Sequence, residues 1–431
     1  MSSHWAKAAR KNLDRVMARL AAGDFNTEQP GVINAVLRID VPDMDFVYEA
    51  AVGQARVDSD APMTPAHQFH LASVAKTMTA VLLLQLWEEG ALGPNGLDAT
   101  LLELGLFDPA IVDRLHKIDG VSYGRQLTVR HLLLHRGGLK EAVVDDAGGT
   151  AQEYGGPAPN SYGARYRRDL AAHVACLQDP HCDLVSSGLA TTKTWQMWDP
   201  DRPDDKEAGV INWFLATGAS EAALWPPGER FKYSDTAYVI LGLLSEHLSG
   251  KDLHRQWRER VFDPLGMDSS YLAYATDPDP APWMRQVSDF FYGDIGGVSN
   301  QLNVSFDRGG GGVVSTVGDL NRFMQGLIQG RLFRNPETLV RMTQWRHYPG
   351  IEAPRAGVGL GIFAETTDAG TVVIGHSGAY GAKMYYEPET GIYFSGTVNQ
   401  RIGVPYYWWK ELFKAIHEAG IGGLPGIQSG R

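Results

Sequence analysis

Apolar and polar positions follow different periods along the chain, and these periods predict its helices and strands. Residues 1–22 carry apolar side chains on one face of a charged segment, which indicates an amphipathic helix. These side chains are Leu13, Val16, Met17 and Leu20. Residues 73–89 are apolar nearly all round, which predicts a buried helix ended by Gly90.

Strand-like patterns occur near both ends of the chain, with mostly helical patterns between about 95 and 330. The predicted strands are 31–40, 45–53, 357–363, 370–375, 380–387 and 392–398, and the last helix covers 406–416. This order predicts an α/β (α+β) fold in which one antiparallel sheet is flanked by terminal helices. Residues 1–90 and 335–431 then form a sheet subdomain, and 91–334 form a mostly helical one.

Composition excludes several classes of partner. The 431 residues hold 39 basic and 50 acidic side chains, for a net charge of −11 without a basic cluster. Nucleic acid and anionic membranes are therefore poor partners. The longest apolar run, near Val81–Leu84, is too short to span a bilayer, and residues 1–22 lack the uninterrupted apolar core of a signal peptide. We therefore expect a cytoplasmic protein.

Histidine and cysteine pairs in the chain are weak candidates for metal or redox chemistry. His131 and His135 are four apart on a predicted helix, a spacing that can hold a metal. No third ligand is evident, so two structural histidines are favoured and we expect no metal or cofactor. Cys176 and Cys182 would bridge in an oxidising compartment, but two cysteines in 431 residues favour ordinary free thiols.

Ser73 and Lys76 form the strongest chemical motif. Their three-residue offset places a hydroxyl and an ammonium on one helical face, and Ser73 lies at the helix amino end, where developing negative charge is favoured. Burial should lower the pKa of Lys76 towards useful base strength. The structural alternative is a capping serine followed by a lysine whose ammonium reaches solvent.

Two further motifs favour the chemical interpretation. Tyr233-Ser234-Asp235 precedes a helical run that the Ser-Asp pair would cap, and His376-Ser377-Gly378 precedes strand-like sequence. In this order the three motifs resemble the serine hydrolases of the class C β-lactamase and D-alanyl carboxypeptidase superfamily. The likeness is greatest to family VIII carboxylesterases and D-amino-acid amidases, and it implies a β-lactamase-like fold.

The resemblance implies a role for each matching residue. Ser73 would be the acylated nucleophile, and Lys76 and Tyr233 would share base and proton-shuttle work, with the first base left open. The backbone N–H groups of Ser73 and Ala379 would form the oxyanion hole.

Two positions depart from the pattern of the superfamily. Asp235 stands where many relatives have asparagine, which would change local charge and substrate orientation. His376 stands where β-lactamases and carboxypeptidases usually carry a lysine that attracts a substrate carboxylate. This second departure weakens the case for a β-lactam or terminal D-alanine substrate.

Two glycine-containing segments suggest other chemistry but fit it poorly. Gly375-His376-Ser377-Gly378 resembles the nucleophile elbow of α/β-hydrolases, but Ala379 takes the place of the final glycine. A second strand follows, so we expect a hairpin, with Ser377 at a sheet edge lining the site. The glycine run 309–312 lacks the Gly-Lys-Ser/Thr of a phosphate loop and precedes a helix that Thr316 would cap.

An atypical insertion covers residues 140–215 or so. Its aromatic side chains, among them Trp195, Trp198 and Trp213, lie in polar sequence, and so long a connection is uncommon unless functional. One interpretation is a lid over the active site. The other is a helical decoration whose aromatic residues pack on the scaffold.

The sequence therefore predicts a serine hydrolase that cleaves small carboxylic esters through an acyl-enzyme on Ser73. D-amino-acid amidase or peptidase, β-lactamase and acyltransferase activities would use the same site, so sequence leaves them open. A non-catalytic binding protein is disfavoured, because the serine, the lysine and the tyrosine are all present. The oligomeric state is left open.

Overall fold

The structure is a computed structural model. It describes residues 2–23, 32–56, 59–141, 143, 192–273, 287–291, 303–349, 351, 355–400 and 408–421, with scattered positions between 165 and 189. Its helices are α1 Ser2–Ala22, α2 Ala75–Glu88, α3 Pro109–Val112, α4 Val129–Leu133, α5 Val210–Ala216, α6 Asp235–Ser249, α7 Leu253–Trp257, α8 Asp263–Leu265, α9 Arg308–Gly311, α10 Val317–Ile328, α11 Pro336–Met342 and α12 Trp408–Glu418. Its strands are β1 Asn34–Val41, β2 Phe46–Arg56, β3 Ser59–Pro62, β4 Phe69–His70, β5 Lys117–Ile118, β6 Val121–Ser122, β7 Tyr271–Leu272, β8 Val313–Ser315, β9 Arg355–Val358, β10 Phe363–Thr366, β11 Val372–Ser377, β12 Lys383–Glu387 and β13 Ile392–Thr397.

The main sheet of the described residues is antiparallel and joins strands from both ends of the chain. Its order is β3-β2-β1-β13-β12-β11-β10-β9. The strand β1 is internal to the sheet, with Val36 opposite Ala51 of β2 and Thr397 of β13. The predicted fold class is confirmed. Smaller sheets are formed by β4-β8-β7 and by β5-β6.

Successive residues of β1 face two separate hydrophobic cores. Leu37 and Ile39 pack with the terminal helices, whereas Val36 faces the core that contains α2. The strand is therefore buried on both faces. The predicted apolar face of α1 is also confirmed, because its four apolar side chains lie in the first of these cores.

A histidine–carboxylate pair fastens α12 to the sheet. His417 Nε2 lies 3.0 and 2.9 Å from the two carboxylate oxygens of Glu387, which is fully buried in β12. The hydrogen bond to Glu387 raises the pKa of His417 above its usual value, although partial burial opposes this. The pair is therefore a pH-dependent contact between helix and sheet.

We expect His417 to stabilise the protein most at acidic pH. Since the folded-state pKa lies above the unfolded value, the contribution is complete below about pH 6.5 and is lost as pH rises through the folded pKa. His417→Gln keeps a donor without titrating. The difference in unfolding free energy between wild type and this variant, measured in urea from pH 5.5 to 8.5, should shrink with increasing pH; a constant difference would contradict the assignment.

One predicted strand is wrong. Residues 357–363 instead contain the end of β9, a turn in which Gly361 has φ 73°, and the first residue of β10. The turn lies against α2, because Thr77 donates to the Gly361 carbonyl at 2.8 Å and a Cβ on Gly361 would lie 2.4 Å from that of Ala80. Contact with the buried helix α2 therefore fixes the turn between β9 and β10, and glycine at position 361 permits the left-handed conformation that the turn requires.

The glycine run 309–312 serves packing. A Cβ on Gly309 would lie 2.4 Å from the Tyr238 carbonyl oxygen, so α9 and α6 approach closely because glycine is present. The predicted cap of the following helix is confirmed, since Thr316 Oγ1 accepts from the Asp319 N–H at 3.2 Å.

The hairpin predicted after His376-Ser377-Gly378 is confirmed in β12 and β13, which pair antiparallel. A strand rather than a helix follows Ser377, so the nucleophile-elbow alternative does not apply. The expectation that Ser377 lies at a sheet edge is wrong, because β11 pairs with β10 on one side and β12 on the other. Ser377 is instead the last residue of an internal strand.

The expectation of free thiols is also wrong. Cys176 and Cys182 form a disulfide, and their Cα atoms are 5.2 Å apart, within the usual range for such a bond. No helix of the described residues has the length and apolarity needed to cross a membrane.

Candidate active site

Ser73 lies in a 3₁₀ turn, Ala72–Val74, immediately before α2. Lys76 occupies the first turn of that helix, and its Nζ donates to Ser73 Oγ at 3.1 Å. The i, i+3 spacing thus brings the two groups together as predicted. Ala72 has φ 46°, a left-handed conformation that is unfavourable for a residue with a side chain and is typical of strained functional turns.

Lys76 is fully buried and donates three hydrogen bonds. Besides Ser73, its Nζ contacts the Asp235 carboxylate and the Gly310 carbonyl, the latter at 2.6 Å. An ammonium has three protons to donate, so these contacts favour the protonated form of Lys76. The glycines of α9 therefore have a second use, because this short helix brings a carbonyl to the lysine.

The expected lowering of the Lys76 pKa is wrong. Burial does lower the pKa of Lys76, but the neighbouring Asp235 carboxylate, with smaller electrostatic contributions from Tyr233 and Asp307, outweighs burial and raises it well above the usual value. The expectation considered only the apolar helix. The opposing charges come from other parts of the chain, so Lys76 is an ammonium at neutral pH.

The Tyr233 ring lies beside Lys76 and Ser73. Lys76 Nζ lies 5.3 Å from the centroid of the Tyr233 ring. Burial raises the pKa of the Tyr233 phenol, although the Lys76 charge and hydrogen bonding with Ser73 and Lys76 act in the opposite direction. The structure thus brings the hydroxyl, the ammonium and the phenol together, with both Lys76 and Tyr233 protonated at rest.

Asp235 begins α6, and its position is fixed by the cap of that helix. Ser234 Oγ accepts from the Ala237 N–H at 3.0 Å, as the sequence predicts. Glu141 Oε2 accepts from the N–H groups of Asp235 and Thr236 at 3.1 and 3.3 Å. The carboxylate of Asp235 is consequently directed at Lys76, to which it is ion-paired.

Glu141 and Asp307 were missed by the sequence analysis. Asp307 lies against the glycines of α9, where a Cβ on Gly310 or Gly311 would come within 2.0 or 2.2 Å of its carboxyl oxygens. Burial, together with Asp235 and Glu141, raises the pKa of Asp307 well above its usual value, although Lys76 opposes this. No motif marks either residue, because both lie far along the chain from Lys76.

The end of β11 passes close to the Ser73 turn. A Cβ on Gly378 would lie 2.1 Å from the Leu71 carbonyl oxygen, so only glycine permits this approach. Ala379 follows and is partly exposed. His376 is buried, with its ring 5.0 Å from Phe363 and 6.1 Å from Tyr233, and Ser377 is 9% exposed.

The described part of the insertion packs on the scaffold. Trp195 and Trp213 are 1% and 5% exposed and belong to the core that contains α2, and Trp198 packs edge-on against Phe107. The backbone N–H of Trp195 donates to Ser305 Oγ at 2.8 Å. This packing favours the decoration over the lid for these three tryptophans. Residues 144–164 lie outside the described part.

The histidines that raised the question of a metal site have other partners. His131 takes part in the capping box that begins α4, and His135 packs beside Tyr233 with 4.4 Å between ring centroids. In the described residues, no group of three or more His, Cys, Asp or Glu side chains is arranged to hold a metal ion.

The large antiparallel sheet, the buried α2 and the lysine-paired serine define a serine hydrolase with a β-lactamase-like fold. The chain belongs to the Beta-lactamase family, whose sequence model matches residues 14–407.

Individual relatives are distant. The mitochondrial serine beta-lactamase-like protein LACTB of Mus musculus is 23% identical over 339 residues, which span 71% of this chain and 58% of the mouse protein. The chain therefore matches less than two thirds of that relative. A D-stereospecific amidohydrolase from Streptomyces sp. superposes with a TM-score of 0.63 at 23% identity, over 93% of this chain and 97% of the other. EstCE1, a hydrolase with promiscuous acyltransferase activity, superposes with a TM-score of 0.65 at 20% identity, over 96% of this chain and 99% of the other.

Proposed function

We propose that this protein is a carboxylesterase that forms an acyl-enzyme on Ser73. The observation that carries the proposal is the hydrogen bond from Lys76 Nζ to Ser73 Oγ at 3.1 Å, beside the Tyr233 phenol. A hydroxyl is a weak nucleophile until a neighbouring group can take its proton, and Lys76 connects Ser73 to the Asp235 carboxylate, which can receive one. The oxyanion of the tetrahedral intermediate would be held by the N–H groups of Ser73 and Ala379.

Proton transfers in this scheme begin from an ammonium, a phenol and a carboxylate. As Ser73 attacks the ester carbonyl, Lys76 first gives a proton to Asp235, which it already contacts, and the neutral amine so formed takes the proton of Ser73. The departing alkoxide takes the proton of Tyr233, Lys76 then reprotonates the phenolate, and Asp235 returns its proton to Lys76. Water then attacks the acyl-enzyme through the same proton transfers, with Ser73 as the leaving group. The acid is released and every group ends in its starting state.

The position of His376 supports a neutral substrate. In β-lactamases and carboxypeptidases a lysine usually stands there and attracts a carboxylate. Here a buried imidazole packs on Phe363 and Tyr233, with Nδ1 2.8 Å from the Ser377 carbonyl oxygen. The His376 side chain is shorter than that of lysine, so it offers a weaker contact to the free carboxylate of a substrate.

Hydrolysis of D-amino-acid amides is the second candidate. The protonated Lys76 and Tyr233 would serve an amine leaving group as well as an alkoxide, because both positions can supply a proton. The amidohydrolase similarity is consistent with this activity but rests on the fold.

A substrate panel separates the candidates. We expect kcat/KM to be highest for short-chain p-nitrophenyl and alkyl esters, lower for D-amino-acid amides and lowest for nitrocefin. Ser73→Ala, purified in parallel, gives the background for each substrate. Amide turnover that exceeds ester turnover would replace the esterase proposal by the amidase one, and rapid nitrocefin hydrolysis would overturn the argument from His376.

A further inference from the structure

His135 occupies a backbone conformation that its side chain disfavours. It follows α4 by two residues and has φ 55°, in the left-handed region where helices usually end in glycine. Gly137 and Gly138 lie only two and three residues further along the chain, yet this left-handed position after the helix holds histidine. A strained residue that persists in a native fold is held by its surroundings, and here those surroundings are the candidate catalytic tyrosine.

The backbone on both sides of Tyr233 is bonded to this one residue. The carbonyl oxygen of His135 accepts from the Lys232 N–H at 2.9 Å. The Nδ1 atom of the His135 ring accepts from the Ser234 N–H at 3.0 Å. His135 therefore holds the backbone N–H groups of the two residues on either side of Tyr233, and the second bond requires that Nδ1 carries no proton.

The imidazole ring also supports the phenol directly. Its plane is 23° from that of Tyr233, with 4.4 Å between centroids. The imidazole also stacks with Phe363, with 5.8 Å between ring centroids, and its centroid lies 5.0 Å from that of the Tyr238 ring. Rotation of the Tyr233 ring would therefore disturb a packed aromatic group rather than open space.

We propose that His135 is a positioning residue, which orients the Tyr233 phenol towards Ser73 and Lys76 by bonding the backbone N–H groups of Lys232 and Ser234 and by stacking on the ring. The inference rests on the proposed role of Tyr233. Because His135 acts through Tyr233, its loss should lower kcat and leave KM nearly unchanged, since misplacement of a reacting group slows the chemical step.

Two variants test this without adding backbone strain. His135→Gly suits the left-handed conformation and removes both side-chain contacts, whereas His135→Asn tolerates the same φ and offers an acceptor near the position of Nδ1. Per active site titrated with a fluorophosphonate, we expect kcat to fall about 100-fold for His135→Gly and about 10-fold or less for His135→Asn, with KM within about twofold. Unchanged kcat per titrated site in His135→Gly would overturn the proposal, even if the melting temperature fell.

The Tyr233→Phe background distinguishes positioning from general destabilisation. Adding His135→Gly to Tyr233→Phe should cause no further loss of kcat, because the group being oriented is already absent. An equal loss in both backgrounds would show that His135 does not act through Tyr233. Full activity of Tyr233→Phe alone would instead sink the proposed role of Tyr233, which is a separate failure.

Discussion

Ser73→Ala should reduce kcat/KM by about 10⁴- to 10⁶-fold while the protein stays folded. Removal of the hydroxyl removes the atom that would be acylated, and the residual rate would come only from binding and the oxyanion donors. The side chain is small and partly exposed, so the fold should be affected little. Ester hydrolysis and intact mass after exposure to a fluorophosphonate provide the two measurements.

Ser377→Ala is the matched control for this prediction. Ser377 is the serine of the Gly-His-Ser-Gly segment and the other nucleophile that the sequence suggests. Wild type and Ser377→Ala should each gain one fluorophosphonate adduct, and Ser73→Ala should gain none. An adduct that persists in Ser73→Ala and disappears in Ser377→Ala would identify Ser377 as the nucleophile and rule out the mechanism proposed above.

Lys76→Met should abolish ester turnover and also weaken folding. Lys76 is fully buried and ion-paired with Asp235, so its loss leaves a carboxylate without its partner in the core. Breaking such a pair by removing one member destabilises proteins by about 3–5 kcal/mol. Catalysis should fall by several orders of magnitude, because Ser73 loses the group that passes its proton to Asp235.

A double variant separates these two effects. Lys76→Met combined with Asp235→Asn removes both charges, so most of the unfolding free energy should return while turnover stays absent. Chemical denaturation and ester hydrolysis measured on the same samples give both quantities. Recovery of activity together with stability would mean that Lys76 matters for folding alone.

The parts of the site that depend on local sequence were predictable. Ser73 and Lys76 meet because a helix repeats every 3.6 residues, and Ser234 caps α6 because the residues that follow have the matching pattern. The terminal helices and central strands followed from their apolar periods in the same way.

The parts that depend on distant residues were not predictable. The charge state of Lys76 is set by Asp235 and Asp307, more than 150 positions away, and no pattern in the helix itself indicates them. The turn at Gly361 interrupts a predicted strand because it contacts α2. Glu141 lies just inside the insertion that resembled no known pattern, yet it holds the backbone of Asp235.

The pairing of β1 with β13 has a consequence for synthesis in the cell. The strand β1 ends at Val41 and its partner β13 begins at Ile392. A nascent chain therefore cannot complete this pairing until residues as far as β13 have left the ribosome. At a translation rate of about 5–20 residues per second, the apolar edge of β1 waits for tens of seconds. During that interval the unpaired edge of β1 can pair with other chains, which is the kind of exposed surface that chaperones protect.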